Sequence, residues 1–142
     1  MNKRILQEFF AGVIGAMVLA AIMYSLQAAN LSGTPGFVNI YRTVAGASDS
    51  LTAHILGALG FVVAGGLWAV LFVSIVRKPT VWKGMLFGFV PTLFLWFVLA
   101  PVTGQPIFNG FTTRGILFPI LYNVIIWGAI VGFLSRKWGL VR

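Results

Sequence analysis

The chain has 142 residues, 59% of them hydrophobic and 8% charged, with a net charge of +8. Soluble domains carry roughly 25% charged residues, and a chain this short has no soluble core able to hide so much apolar surface, so a mean hydropathy of +0.98 points to lipid as the solvent. The lack of cysteine excludes disulfide frameworks, thiolate zinc sites and iron–sulfur clusters, and basic residues placed just beyond apolar runs, rather than along a solvated stripe, argue against nucleic acid as a partner.

The first apolar run predicts a helix over residues 9–29, roughly 31 Å long and enough to cross a hydrocarbon core. Its basic start, Lys3 and Arg4, resembles a signal peptide. Gln7 and Glu8 interrupt that pattern, however, and the apolar part runs past the usual h-region of about 7–15 residues. No A-x-A site follows, so the segment is expected to persist as a membrane helix. Glu8 sits at the start of this helix, where a carboxylate favours the positive end of the helix dipole, within helical reach of Arg4. Ala11 and Gly15 form a small-x-x-x-small pair suited to close helix packing.

Residues 30–50 follow, rich in Gly, Ser, Thr and Asn and containing Pro35. The segment exceeds a usual helix–helix connection and is expected to hold a short interfacial helix or a functional segment. The second spanning helix is expected over 51–76, with Asp49, Ser48 or Ser50 as its N-cap. Ala53, Gly57, Gly60 and Ala64 make a stripe of small residues along it. His54, the one histidine, lies among them near the helix start. An imidazole flanked by small residues leaves room for a macrocycle, so His54 is the candidate ligand for a haem or a chlorophyll-type pigment, against the alternative of an interfacial hydrogen-bonded histidine.

A tight link, 77–83, carries Arg77, Lys78 and Lys83, and its Pro79 supports a sharp stop. The third helix is expected over 84–102, with Gly84 and Gly88 as a packing pair and Pro91-Thr92 as a kink whose freed carbonyl is satisfied locally. Gly104-Gln105-Pro106 reads as a turn. The fourth helix is expected over 116–134, with Gly128 and Gly132 as its packing pair. Asn123 is the deepest polar residue, one turn after Pro119, which frees the carbonyl near Gly115. It serves either as interhelical glue or as part of a polar pocket with Thr92. Tyr41, Trp82 and Trp138 read as interfacial belt residues, and Phe108 and Phe111 as residues resting among headgroups.

The fold class is therefore an all-α integral membrane protein, one domain of four transmembrane helices. Eight basic residues, Lys3, Arg4, Arg77, Lys78, Lys83, Arg136, Lys137 and Arg142, fall on one side, and only Arg42 and Arg114 on the other. By the positive-inside rule both termini face the cytoplasm, N-in and C-in, which suits the inner membrane of a bacterium. The halves also echo each other. Gly33-Thr34-Pro35-Gly36-Phe37 resembles Gly104-Gln105-Pro106-Ile107-Phe108, and Trp68 precedes Arg77-Lys78 at the interval by which Trp127 precedes Arg136-Lys137. A pseudo-twofold repeat of two helical hairpins is one reading.

Chemistry is scarce. The two acids are Glu8 and Asp49, with no carboxylate pair, histidine cluster for a metal, or phosphate-binding loop, so no enzymatic activity is expected. The function expected first is an accessory subunit of a larger membrane complex of respiratory or photosynthetic type, touching lipid and other membrane subunits or its own copies. The alternatives are a small homo-oligomeric channel or transporter, its pore formed between protomers, and a haem- or pigment-binding subunit through His54.

Overall fold

The computed structural model describes residues 2–46 and 49–140, so the N-cap alternative Ser48 and the basic residue Arg142 lie outside the described residues. It is helical throughout, without strands among those residues. Four helices are long and apolar enough to cross a membrane, and the protein is a multi-pass membrane protein. They are α1 (Lys3–Ala28), α3 (Ser50–Ile75), α4 (Val81–Val102) and α5 (Thr113–Gly139). The shorter α2 (Gly36–Ala45) occupies the long connection, where a short helix was expected.

Three of the four spans begin earlier than the apolar runs imply, and the caps explain the difference. Asn2 Oδ1 accepts from the Arg4 amide at 3.1 Å, Thr80 Oγ1 from the Lys83 amide at 3.3 Å, and Thr112 Oγ1 from the Gly115 amide at 3.1 Å. Each side chain satisfies one of the backbone donors that a helix start leaves open, so α1, α4 and α5 gain polar first turns that hydropathy alone does not count.

The cap of α3 is Asp49, whose Oδ2 accepts from the Thr52 amide at 2.9 Å. Hydrogen bonding from Thr52, its side chain first and then its amide, holds the Asp49 carboxyl below the usual carboxylate range. A depressed folded value means that the cap's contribution is complete above the ordinary carboxylate pKa and is lost as pH falls through the lowered one. Thermal melting in detergent is thus expected to fall more between about pH 5 and about pH 2 for the wild type than for Asp49→Asn. Equal slopes would remove the carboxylate from the cap.

Glycines set the helix pairs. A Cβ at Gly12 of α1 would run into the Gly65 carbonyl and the Ala69 side chain of α3, and a Cβ at Gly84 of α4 into the Gly128 carbonyl and Gly132 of α5. Helices with no hydrophobic reason to associate in lipid gain contact by bringing backbones together at such positions. The two hairpins, α1–α3 and α4–α5, then meet along α1 and α5. Trp127 of α5 lies against Gly15 and donates from Nε1 to the Gly12 carbonyl at 3.3 Å. Between α3 and α4 the bridge is made by rings, Trp68 on Phe94 and Phe72 on Phe87.

Of the packing glycines read from sequence, Gly15, Gly57, Gly88, Gly128 and Gly132 each face a close neighbour: Trp127, the Phe37–Val38 backbone of α2, the Asn123–Val124 backbone, Gly84 and the Thr80–Val81 backbone. Gly60 faces open space instead, because its side of α3 points away from the rest of the chain. Gly12 and Gly65, the tightest α1–α3 approach, are absent from the stripes read in sequence, since each lies off the chosen small-x-x-x-small register.

Candidate functional site

The two hairpins are closed at the end that carries the basic residues and parted at the end that carries α2 and the 103–112 loop. Between them lies a cavity of about 650 Å³ reaching all four spans and α2. Its floor is Ala16, Gly65 and Trp127, directly above the Gly12–Trp127 hydrogen bond. This space lies within one chain.

Two bent helices account for that space. In α4 the regular hydrogen bonding breaks at Gly88, Pro91 follows, and Leu95–Leu99 is wound as a π-helix, closed by the Ala100 amide on the Leu95 carbonyl. In α5 Pro119 is followed by a π-helix over Ile120–Trp127, closed by the Gly128 amide on the Asn123 carbonyl. A proline removes one amide and crowds the carbonyl four residues earlier, and wider i→i+5 turns absorb the misfit, often at functional positions. Pro91, Leu95, Pro119 and Asn123 all line the cavity.

The carbonyl freed by Pro119 is that of Gly115, and it is re-satisfied from two sides. Trp96 donates to it from Nε1 at 3.2 Å and Asn109 from Nδ2 at 3.3 Å. In lipid an unpaired carbonyl is costly, and this pair ties α4, the loop and α5 together at the cavity mouth. Phe108 lies tilted against Trp96 and touches Phe97 and Phe111, so the two loop phenylalanines join an aromatic cluster. The loop is strained: Phe108, Asn109 and Phe111 have φ of 55°, 51° and 59°, a left-handed backbone costing roughly 1–2 kcal/mol per non-glycine residue. The strain aims Asn109 at Gly115, and stored strain of this kind concentrates at binding sites.

The residues singled out in sequence divide between the cavity and the packing around it. Asn123 lines the cavity, half-buried, and its side-chain amide makes no hydrogen bond among the described residues. Thr92 is fully buried beside it but does not line the cavity. Its hydroxyl donates to the Gly88 carbonyl at 2.8 Å and reaches the Pro119 carbonyl at 3.5 Å, so it secures the α4 bend rather than forming the pocket wall. His54 stands away from the cavity. Its Nδ1 is joined to the Tyr24 hydroxyl of α1 at 2.9 Å, and its small neighbours Ala53 and Gly57 are covered by Phe37 and Val38 of α2. The room read beside His54 on that side is therefore filled by protein.

Two groups were not singled out. Glu8, read as a helix-start carboxylate near Arg4, is 2% exposed and accepts from Ser135 Oγ of α5 at 2.5 Å. Because α1 starts at Lys3, Glu8 lies in its second turn. A carboxylate placed directly against an apolar run is the signal that could have marked it. Arg114, counted only for topology, lines the cavity mouth.

No family model, curated protein or solved structure matches the chain. The functional reading rests on the cavity's own chemistry.

Proposed function

We propose that the protein binds a small membrane-soluble molecule between its two hairpins, as a binding or carrier protein rather than an enzyme. The observation that carries this reading is the cavity, open at one end and shut at the other by glycine packing, the Trp127–Gly12 bond and the Ser135–Glu8 bond. Its volume falls within the range of about 300–1,000 Å³ usual for small-molecule sites. Its walls are mostly apolar, with a few polar groups at the mouth and Asn123 at depth. The polar groups are amides, hydroxyls and one guanidinium, which favour recognition over bond-making.

By the charge bias, the shut basic end lies in the cytoplasm and the cavity opens to the outer side of a bacterial inner membrane. Descent of the two hairpins from one duplicated unit belongs to the same reading and is supported by the sequence echo. A second role, as a subunit in a larger assembly, is favoured by Gly60, a small residue on a face that none of the described residues covers.

The test is mass spectrometry of small molecules retained after mild-detergent extraction from the native membrane. The wild type is expected to carry a near-stoichiometric compound. Ala64→Trp, which fills the cavity from α3, is expected to lose it while eluting as a folded protein. If folded wild type and variant retain the same background lipids, the binding reading fails. A native gel of the same extract reads the second role through co-migrating polypeptides.

A further inference from the structure

Charge accounting points to the class of ligand. The chain has two acidic residues, and both are engaged: Glu8 by Ser135 at the shut end, and Asp49 by the Thr52 amide at the start of α3. Arg114 is the one charged residue lining the cavity, and its guanidinium makes no hydrogen bond or ion pair among the described residues. The other basic residue at this end, Arg42, is turned to the Ser50 hydroxyl at 3.4 Å. Arg114 is exposed at the cavity mouth and has no acidic side chain as partner among the described residues, so it is open to an anion from outside. The lining also holds Asn39 and Gln105, whose side-chain amides are likewise without partners among the described residues.

The shape narrows the class further. From Arg114 down α5 to Trp127 at the floor is about 20 Å of helix. Over that length, a cavity of about 650 Å³ leaves room for an elongated apolar group such as a hydrocarbon chain. Its shaft is lined by Leu19, Met23, Phe61, Phe94 and Phe118, side chains that offer apolar contact without hydrogen bonds. A guanidinium pairs well with the planar or tetrahedral oxygens of a carboxylate or phosphate.

Resting on the binding reading above, we infer that the ligand is a single-chain amphiphile with an anionic head, the head on Arg114 and the chain running down the shaft to Trp127. Carboxylate and phosphate heads share this chemistry: a free fatty acid and a lysophospholipid with a terminal phosphate are its two sources.

The experiment titrates purified, delipidated protein with probes of one chain length, following Trp fluorescence. The probes are a fatty acid, the matching lysophosphatidic acid, the fatty alcohol and the alkyl trimethylammonium. The two anions are expected to bind at least about tenfold more tightly than the alcohol, and the cation most weakly. Arg114→Gln is expected to bring the anions to the level of the alcohol while leaving the alcohol unchanged, a loss of about tenfold that corresponds to one charge-assisted contact. Arg114→Lys is expected to keep the preference for phosphate better than that for carboxylate, because it loses the bidentate fork but keeps the charge. The stronger of the two anions identifies the source.

If the alcohol binds as well as the anions, or if Arg114→Gln weakens all probes equally, the assignment of an anionic head is overturned while the cavity remains a binding site. If none of the probes binds and Ala64→Trp still loses a native compound, the single-chain class is overturned and binding stands. If neither occurs, both readings fall.

Discussion

Gly12→Leu is expected to prevent the α1–α3 hairpin from closing, at a cost of more than about 3 kcal/mol. A side chain here does not meet the end of a flexible neighbour. Its first carbon already collides with the Gly65 carbonyl, which is backbone, and with the Ala69 Cβ. The two helices have to separate, and separation gives up the contact that holds them together in lipid, where van der Waals packing rather than exclusion of water drives association. Gly84→Leu is expected to do the same to the α4–α5 hairpin, against the Gly128 carbonyl and Gly132. Gly60→Leu is the control, with open space around it and an expected effect within about 0.5 kcal/mol. Melting in one detergent, followed by fluorescence-detected gel filtration, compares the three. Equal melting of Gly12→Leu and Gly60→Leu would mean that the α1–α3 approach is looser than described.

These glycines also show what a sequence can carry. The number of spans, their length and the short helix in the first connection follow from hydropathy and loop length, because lipid leaves a single chain of this kind few other solutions. Helix starts were misjudged by about three to six residues, since Asn2, Thr80 and Thr112 extend the helices into polar sequence. The prolines were legible, and so was the carbonyl that Pro119 frees. Its partners were not: Trp96 lies 19 residues away and reaches Gly115 only because α4 bends beside α5. The register of close approach, Gly12 on Gly65 rather than Ala11 and Gly15 on the stripe of α3, depends on how two helices rotate against each other, and small residues are too frequent in membrane helices to fix that rotation. The cavity was least legible of all. It arises from two π-helical stretches and a strained loop, none of which leaves a periodic pattern.

Ser135→Ala is expected to cost about 1–3 kcal/mol, the scale of leaving a buried hydrogen-bond partner unsatisfied. Glu8 is almost wholly enclosed, and Ser135, 127 residues on, is the partner that satisfies it. Removing the hydroxyl strands the carboxylate among apolar neighbours. Glu8→Leu strands the serine instead, a smaller loss because a hydroxyl still finds a backbone carbonyl within its own helix. The informative variant is the double one. With both polar partners gone, Glu8→Leu/Ser135→Ala is expected to melt above Ser135→Ala alone, since an apolar pair replaces a half-satisfied one. Such non-additivity, a coupling of about 1.5–3 kcal/mol, is what contact between two groups predicts and what separate roles do not. Additive losses would remove the contact. The pair also bears on binding. Below the cavity floor, the Ser135–Glu8 and Trp127–Gly12 hydrogen bonds join α1 to α5 where the basic ends of the hairpins meet. A ligand admitted from the loop end therefore meets a closed floor while both persist. Ser135→Ala loosens that floor without touching the walls, so ligand release, rather than recognition at Arg114, is the step expected to respond.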